Sequence, residues 1–253
     1  MKVHCLGTTG YHPSPSRHTA CYYIPDASLL LDAGSGMFAL TQLLRADPRE
    51  SLDIFLSHAH LDHILGLTFL LDTFAVTALK RVRVHGLGEK LKAIQEHLFA
   101  IDLFPVLPPE IEFHPLDERT NVFQLHGGPQ VSWFPLEHPG GSIGCRFELS
   151  GKSLAYVTDT VARPDAAYID QVRKVDLLLH ECYFSDQYRA LAEKTGHSWL
   201  SAVTEVVRLV KAKRTGLIHV NPLSEVVESE MKLEAEHLEL GIFIPSDGQC
   251  ICV

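Results

Sequence analysis

The stretch SHAHLDHILGL, Ser57 to Leu67, puts three histidines and one aspartate into the six residues from His58 to His63. A globular protein does not need that cluster to fold. Imidazole and carboxylate together are the donors that zinc, iron and manganese accept. If DIFLS before the cluster is a strand and the chain stays extended, His58 and His60 point to the same side and suit one ion. Asp62 and His63 then fall where a helix over 62–73 begins, a place that favours an ionised carboxylate. One metal would take the His58/His60 side and a second the Asp62/His63 side. Four donors do not hold two metals. Three further candidates stand at the ends of strand-like runs: His138 after VSWFPLE, Asp159 after SLAYVT, and His219 in TGLIHVNP. Strand ends are where a sheet presents side chains into a common cleft.

The elements that must position these residues are short and numerous. Strands are expected at KVHCL, ACYYI, SLLLDA, DIFLS, RVRVHG, IEFHPL, QVSWFPL, IGCRFEL, SLAYVTD, DLLLHE, TGLIHV, GIFIP and QCICV, punctuated by Gly, Pro, Asn and Asp. Helices are expected at about 35–46, 62–73, 88–100, 164–173, 184–194, 198–213 and 224–239. The clearest starts at Ser198, which can cap it, with Trp199, Val203, Val206, Val207 and Val210 at three- and four-residue steps. No linker, repeat or low-complexity segment interrupts the alternation, so residues 1–253 read as a single α/β domain with extensive sheet.

Composition narrows the function classes. The 46% hydrophobic and 21% charged residues are those of an ordinary soluble protein, and no apolar run reaches the ~18 residues of a membrane span. MKVHCLGTTG lacks the apolar core of a signal peptide, which makes the cytoplasm the expected location. The six cysteines have no C-x-x-C spacing and read as reduced thiols. The net charge of −9, with only small basic groups such as Lys80-Arg81-Arg83 and Arg208-Lys211-Lys213-Arg214, does not suit a phosphate-backbone binder. Fifteen histidines are the more informative excess.

His58-x-His60-x-Asp62-His63, then His138, Asp159 and His219, resembles the ligand motifs of the metallo-β-lactamase superfamily. The resemblance implies an αββα four-layer sandwich, with two mixed β-sheets face to face and helices outside. It implies two divalent metals, with zinc favoured and manganese or iron tolerated. The first would take His58, His60 and His138, the second Asp62, His63 and His219, and Asp159 would bridge them.

Within the superfamily, several stretches are similar to the ribonuclease Z and phosphodiesterase branch: LGTTGYHPSPSRHTAC, LLLDAGSG with Asp32 beside the ligands, HECYF, GHSW and HVNP. By that resemblance Glu181 orients His197, and His197 protonates the leaving alkoxide. The chemistry is sound independently, since a carboxylate on one imidazole nitrogen fixes the tautomer and raises the basicity of the other. His197 also precedes the clearest helix, whose N-terminal N–H groups favour a phosphate. His180 reads as a core or supporting histidine. His12 and His18 on the first loop are candidates to line the cleft, and Gly140, Gly141 and Ser142 either bind a phosphate oxygen or simply form a turn.

The chain departs from ribonuclease Z proper in one respect. That enzyme carries a long tRNA-gripping arm between the positions matching His138 and Asp159, but here 20 residues separate them, enough for two strands and a turn. The short span and the acidic charge argue against tRNA. The resulting expectation is a dinuclear phosphodiesterase acting on a nucleotide or other small or short phosphodiester, through a hydroxide bridging the metals. Asp62 would orient that nucleophile and His197, held by Glu181, would be the general acid. The alternatives are an ester or thioester hydrolase or lactonase on the same metals, and a binding protein without chemistry. No membrane partner is expected. The segment IDLFPVLPPEIEF, residues 101–113, is either a cleft wall or a homodimer contact.

Overall fold

The computed structural model describes residues 1–225 and 231–253. Strands β1 (Lys2–Gly7), β2 (Cys21–Ile24), β3 (Leu29–Leu31), β4 (Ser51–Phe55), β5 (Arg81–Gly86) and β6 (Ile111–Pro115) build one sheet. Strands β7 (Val122–Gln124), β8 (Gln130–Leu136), β9 (Ser142–Leu149), β10 (Lys152–Val157), β11 (Leu177–Glu181), β12 (Arg214–Ile218) and β13 (Ile242–Phe243) build a second. The last strand, β14 (Cys250–Cys252), returns to the first sheet beside β1, giving the order β14-β1-β2-β3-β4-β5-β6. The second sheet runs β13-β12-β11-β10-β9-β8-β7.

Each sheet is half antiparallel and half parallel. Strands β14, β1, β2 and β3 pair antiparallel, whereas β3 to β6 are parallel. Strands β7 to β10 pair antiparallel and β10 to β13 parallel. Parallel neighbours need crossovers, and helices supply them.

Side-chain alternation sorts the strands into layers. Tyr22, Ile24, Leu29 and Leu31 meet Trp133, Phe147, Tyr156, Leu177 and Leu179 between the sheets. Their sequence neighbours Cys21, Tyr23 and Leu30 face the opposite way, onto Met37, Leu40, Leu44, Leu67 and Leu70 of the first helical layer. Leu178 and Ala155 likewise pack outward on Val203, Val206, Val207 and Val210. The layers are therefore helix, sheet, sheet, helix, as the motif resemblance implied.

All thirteen expected strands are present, and β7, a half-exposed edge strand at Val122–Gln124, is one the sequence reading missed. Several helices are shorter or more broken than periodicity suggested. The 62–73 helix is a turn at Leu61–Ile64, a 3₁₀ stretch at Leu65–Phe69 and a helix at Leu70–Val76. Gly66 causes the tightening, because its N–H bonds Ala33 O at 2.7 Å and leaves no room for a side chain against Gly34. The 164–173 region is a 3₁₀ stretch at Ala167–Val172, and residues 184–194 divide into Asp186–Tyr188 and Arg189–Thr195. The 88–100 helix runs over Gly88–Ala93 and continues as a π turn at Ile94–Leu98. Of the helix expected at 224–239, only Ala235–Glu239 forms one among the described residues, and 226–230 lie outside them.

The clearest helix spans Leu200–Val210, but Ser198 does not cap it. Its hydroxyl donates to Thr160 O at 2.7 Å and accepts from Ala162 N–H at 2.9 Å, tying down the loop after Asp159. Asp186 Oδ1 accepts Ser201 N–H at 2.8 Å and so takes the capping role. No helix among the described residues is long and apolar enough to cross a membrane.

Candidate metal centre

The chain leaves β4 at Phe55, β8 at Leu136, β10 at Val157 and β12 at Ile218. Within three residues of each exit it carries His58, His138, Asp159 and His219. The four meet in space, at the carboxyl ends of the strands. His58, His60, His138 and Asp159 place one donor atom each within 4.8 Å of one another, and Asp62, His63 and His219 do the same.

Asp159 joins the two groups. Its Oδ2 lies 3.6 Å from His58 Nε2 and 3.6 Å from His138 Nε2, while Oδ1 lies 3.2 Å from His63 Nε2 and 3.3 Å from His219 Nε2. Asp62 Oδ2 is 3.4 Å from His63 Nε2 and 3.2 Å from His219 Nε2. Donors bound at about 2.0–2.1 Å to a tetrahedral ion sit roughly 3.3 Å apart, so the spacing fits divalent cations of zinc's size.

The outer nitrogens of three of the rings are held, which frees the inner ones for an ion, whereas His219 Nδ1 has no hydrogen-bond partner among the described residues. Asp32 Oδ2 is 2.7 Å from His63 Nδ1, Ser57 Oγ is 3.0 Å from His58 Nδ1, and Gly196 O is 2.9 Å from His138 Nδ1. His58 Nε2 is buried without any hydrogen-bond partner among the described residues. An orphaned lone pair at that place is what a cation would satisfy.

The electrostatics agree at most donors; at His63 burial works to lower the ring, but Asp159, Asp62 and Asp32 raise it well above the ordinary histidine value. Burial would push Asp159 up, but His219, His63 and His58 together hold it well below the usual carboxylate range. Burial likewise works against Asp62, and His63 and His219 hold it low. Burial first, and then neighbouring imidazoles, keep His58 and His60 below the ordinary histidine value and hence neutral, the form that binds metal. His138 is also lowered, by burial.

Glu181, the last residue of β11, is fully buried. Its Oε1 accepts Thr160 N–H at 2.9 Å and Ser198 N–H at 3.1 Å, and lies 3.2 Å from His197 Nδ1; Oε2 accepts Tyr183 N–H at 3.1 Å. Burial lowers His197, yet the charge and hydrogen bond of Glu181 outweigh it and raise the ring above the ordinary histidine value. A ring nitrogen of His197 lies within 4.8 Å of donors of Asp159 and His219.

The nine residues singled out in the sequence therefore come together. The remaining candidates fare differently. The N–H groups that were to attract phosphate beside His197 are taken: Ser198 by Glu181, Leu200 by Phe184 O and Ser201 by Asp186. Gly141 N–H closes a turn on His138 O at 2.8 Å, so the glycine pair forms a turn. His180 is a core residue, its ring between Tyr168 Oη at 2.8 Å and Glu181 O at 2.7 Å. His12 and His18 do not line the cleft over the metal donors, and neither does any of residues 101–113.

That cleft, about 580 Å³, is lined instead by Tyr11, Leu61, Pro139, Tyr183, Phe184 and Thr195 around His60, Asp62, His138 and His197. The sequence reading missed Tyr11, whose N–H donates to Asp62 Oδ2 at 2.7 Å, and Tyr156, whose hydroxyl donates to Asp32 at 2.7 Å. It also missed Gly10, where a Cβ would lie 2.2–2.4 Å from the His219 ring. Only Tyr11 had a local signal, its place between Gly10 and the flagged His12.

Comparison with known proteins agrees with this geometry. The family described as the Beta-lactamase superfamily domain matches residues 27–220, well over half of the chain. Ribonuclease Z of Haloarcula marismortui is 24% identical, with 98% of this chain and 95% of that protein covered. The metallo-β-lactamase fold protein YhfI from Bacillus subtilis superposes with a TM-score of 0.77 at 19% identity, covering 99% of this chain and 98% of that one. Human tRNase Z, short form, gives 0.75 at 22% identity over 100% and 99%. The chain is similar over its length to proteins named ribonuclease Z; it belongs to the metallo-β-lactamase superfamily and is a metal-dependent hydrolase.

Proposed function

We propose that the protein hydrolyses a phosphodiester, with His58, His60 and His138 holding one divalent ion, Asp62, His63 and His219 a second, and Asp159 bridging. When bound, such ions supply a water of lowered pKa and stabilise charge on the phosphate oxygens. Zinc suits the all-nitrogen-and-oxygen donor set, and manganese and iron accept it too.

The observation that carries the phosphodiester reading is the contact between Glu181 Oε1 and His197 Nδ1, 3.2 Å long. It commits Nδ1 to the carboxylate and leaves Nε2 as the position from which a proton can pass to substrate. Water oxygen bonds to phosphorus, the bond to the leaving oxygen breaks, and that oxygen takes its proton from His197. Asp62, fixed by Tyr11 N–H, orients the attacking water. A thiolate leaves unaided, so a thioester hydrolase would need no such acid; an ester hydrolase or lactonase also expels an alkoxide and is separated by its substrate instead.

The test is a substrate panel on metal-replete protein. Turnover of bis-p-nitrophenyl phosphate above that of thioesters and lactones is expected. Preference for a thioester or lactone would overturn the reading. A second reading, cleavage of tRNA precursors, is supported by full-length similarity to proteins named ribonuclease Z, which counts against the expectation that tRNA is excluded. Against it stands the segment between His138 and Asp159, which holds only the hairpin β9–β10 turning at Ser150–Gly151. The ribonuclease Z alignment spans 300 positions against a chain of 253, so the relative carries segments this chain lacks. Incubation with a tRNA precursor bearing a 3′ trailer separates the two.

A further inference from the structure

Two features of the cleft bear on what enters it. The first is charge. Among the described residues no lysine or arginine lines it. Arg17 of the neighbouring loop donates to Thr8 Oγ1 and, at 2.6 Å, to Pro245 O. Arg163 and Arg189 line a different depression, on the outer side of the Asp159 loop. A phosphate in the cleft thus meets no lysine or arginine among the described residues, and the chain carries −9 overall. A polyanion draws its affinity from cations spread along its phosphates, and this cleft has no such track.

The second feature is aromatic. On one wall Tyr183 stacks on His197, with centroids 4.9 Å apart and planes at 22°, and meets Phe184 edge-on at 4.7 Å. Opposite contacts of this kind leave that ring packed. Tyr11 differs. It is 74% exposed, and its only ring neighbour among the described residues is His12, edge-on at 5.3 Å. Its backbone is nevertheless fixed, with φ of 63°, a conformation that L residues avoid. The N–H bonds Asp62, Gly10 N–H bonds Val220 O at 3.1 Å, and Thr9 Oγ1 donates to the same carbonyl at 2.7 Å. A strained backbone tied to a proposed metal ligand holds an exposed aromatic ring at the mouth.

We infer that the substrate is a diester with a single phosphate and a flat aromatic group, such as a nucleobase, and that this group stacks on Tyr11 while the phosphate sits over the metal donors. The inference rests on the phosphodiesterase reading. Tyr11 is its specificity-determining residue. The stack selects by π-face and the absence of cations rejects longer chains.

The experiment compares diesters that share one leaving group, p-nitrophenolate: the methyl ester, the thymidine 5′ ester, and a thymidine oligonucleotide 5′ ester. In wild type the thymidine ester should exceed the methyl ester in kcat/KM by roughly tenfold or more, the size of one base stacked on an aromatic ring. Tyr11→Asn keeps the N–H bond to Asp62 and tolerates positive φ, and should collapse that ratio toward one. Tyr11→Phe should preserve it. Calorimetry of thymidine 5′-monophosphate binding should show the same split, without turnover. The oligonucleotide ester should gain nothing over the mononucleotide, and raising salt from 50 to 200 mM should change binding by about threefold at most, as for one phosphate. A ratio indifferent to Tyr11→Asn, or an oligonucleotide bound more tightly with steep salt dependence, would overturn the inference while leaving the diesterase reading intact. Release of p-nitrophenolate from none of the three, with a thioester cleaved, would overturn both.

Discussion

Asp32 and His63, both fully buried, meet at 2.7 Å between Oδ2 and Nδ1. The contact sets which nitrogen of His63 faces Asp62, Asp159 and His219. The same carboxylate also accepts Ser57 N–H, Ser57 Oγ–H and Tyr156 Oη–H, each at 2.7 Å. Removing it frees the ring to rotate and strands three donors. Asp32→Ala should weaken metal binding by about 10- to 100-fold, the usual loss when a ligand's outer partner is removed. Metal titration of the chelated protein measures this. Affinity within a factor of about two of wild type would show that the ring needs no such support.

Gly10 allows the loop after β1 to lie against the His219 ring. A Cβ there would come within 2.2–2.4 Å of three ring atoms. Gly10→Ala should displace His219 and cost about 10² in kcat/KM, as misplacement by 1 Å of a group in the site does. Metal content should fall from two equivalents toward one while far-UV circular dichroism stays that of wild type. Unchanged metal content and rate would remove His219 from the second ion.

The pH profile follows from Glu181 and His197. A general acid works protonated, so activity on diesters with poor leaving groups should fall as pH rises through the His197 value; the acid limb belongs to the attacking water and the histidine donors. Burial alone would lower that value, and Glu181 raises it above the ordinary one. Glu181→Gln removes the negative charge, so the alkaline limb should move to lower pH, with an activity loss on the order of 10- to 100-fold near neutrality. A limb that stays in place would assign it to another group. The wild-type limb should likewise disappear in His197→Ala.

How far the sequence was legible depends on how local each signal is. His58 to His63 lie in one strand–helix junction, so their chemistry could be read from spacing alone. His138, Asp159 and His219 were readable because each follows a run of apolar residues long enough to mark a strand, and strand ends converge. Strand β7 was missed because Val122–Gln124 is a short, half-exposed edge with little apolar pattern. The capping assignment failed for a tertiary reason. Ser198 has the right residue type, but the Thr160–Ala162 loop engages its hydroxyl and Asp186 reaches the helix from another segment. Tyr11 and Tyr156 were invisible for the same reason: their partners, Asp62 and Asp32, are 51 and 124 residues away.

The central claim is that His197, held by Glu181, protonates an oxygen leaving from phosphorus. It is tested most directly by the leaving-group dependence of His197→Ala with both metals bound. On bis-p-nitrophenyl phosphate, whose phenolate leaves nearly unaided, the variant should retain most of its rate. On a dinucleotide, whose leaving group is an alkoxide, kcat should fall by about 10²–10⁴. Equal losses on the two substrates, or none on either, would contradict the account.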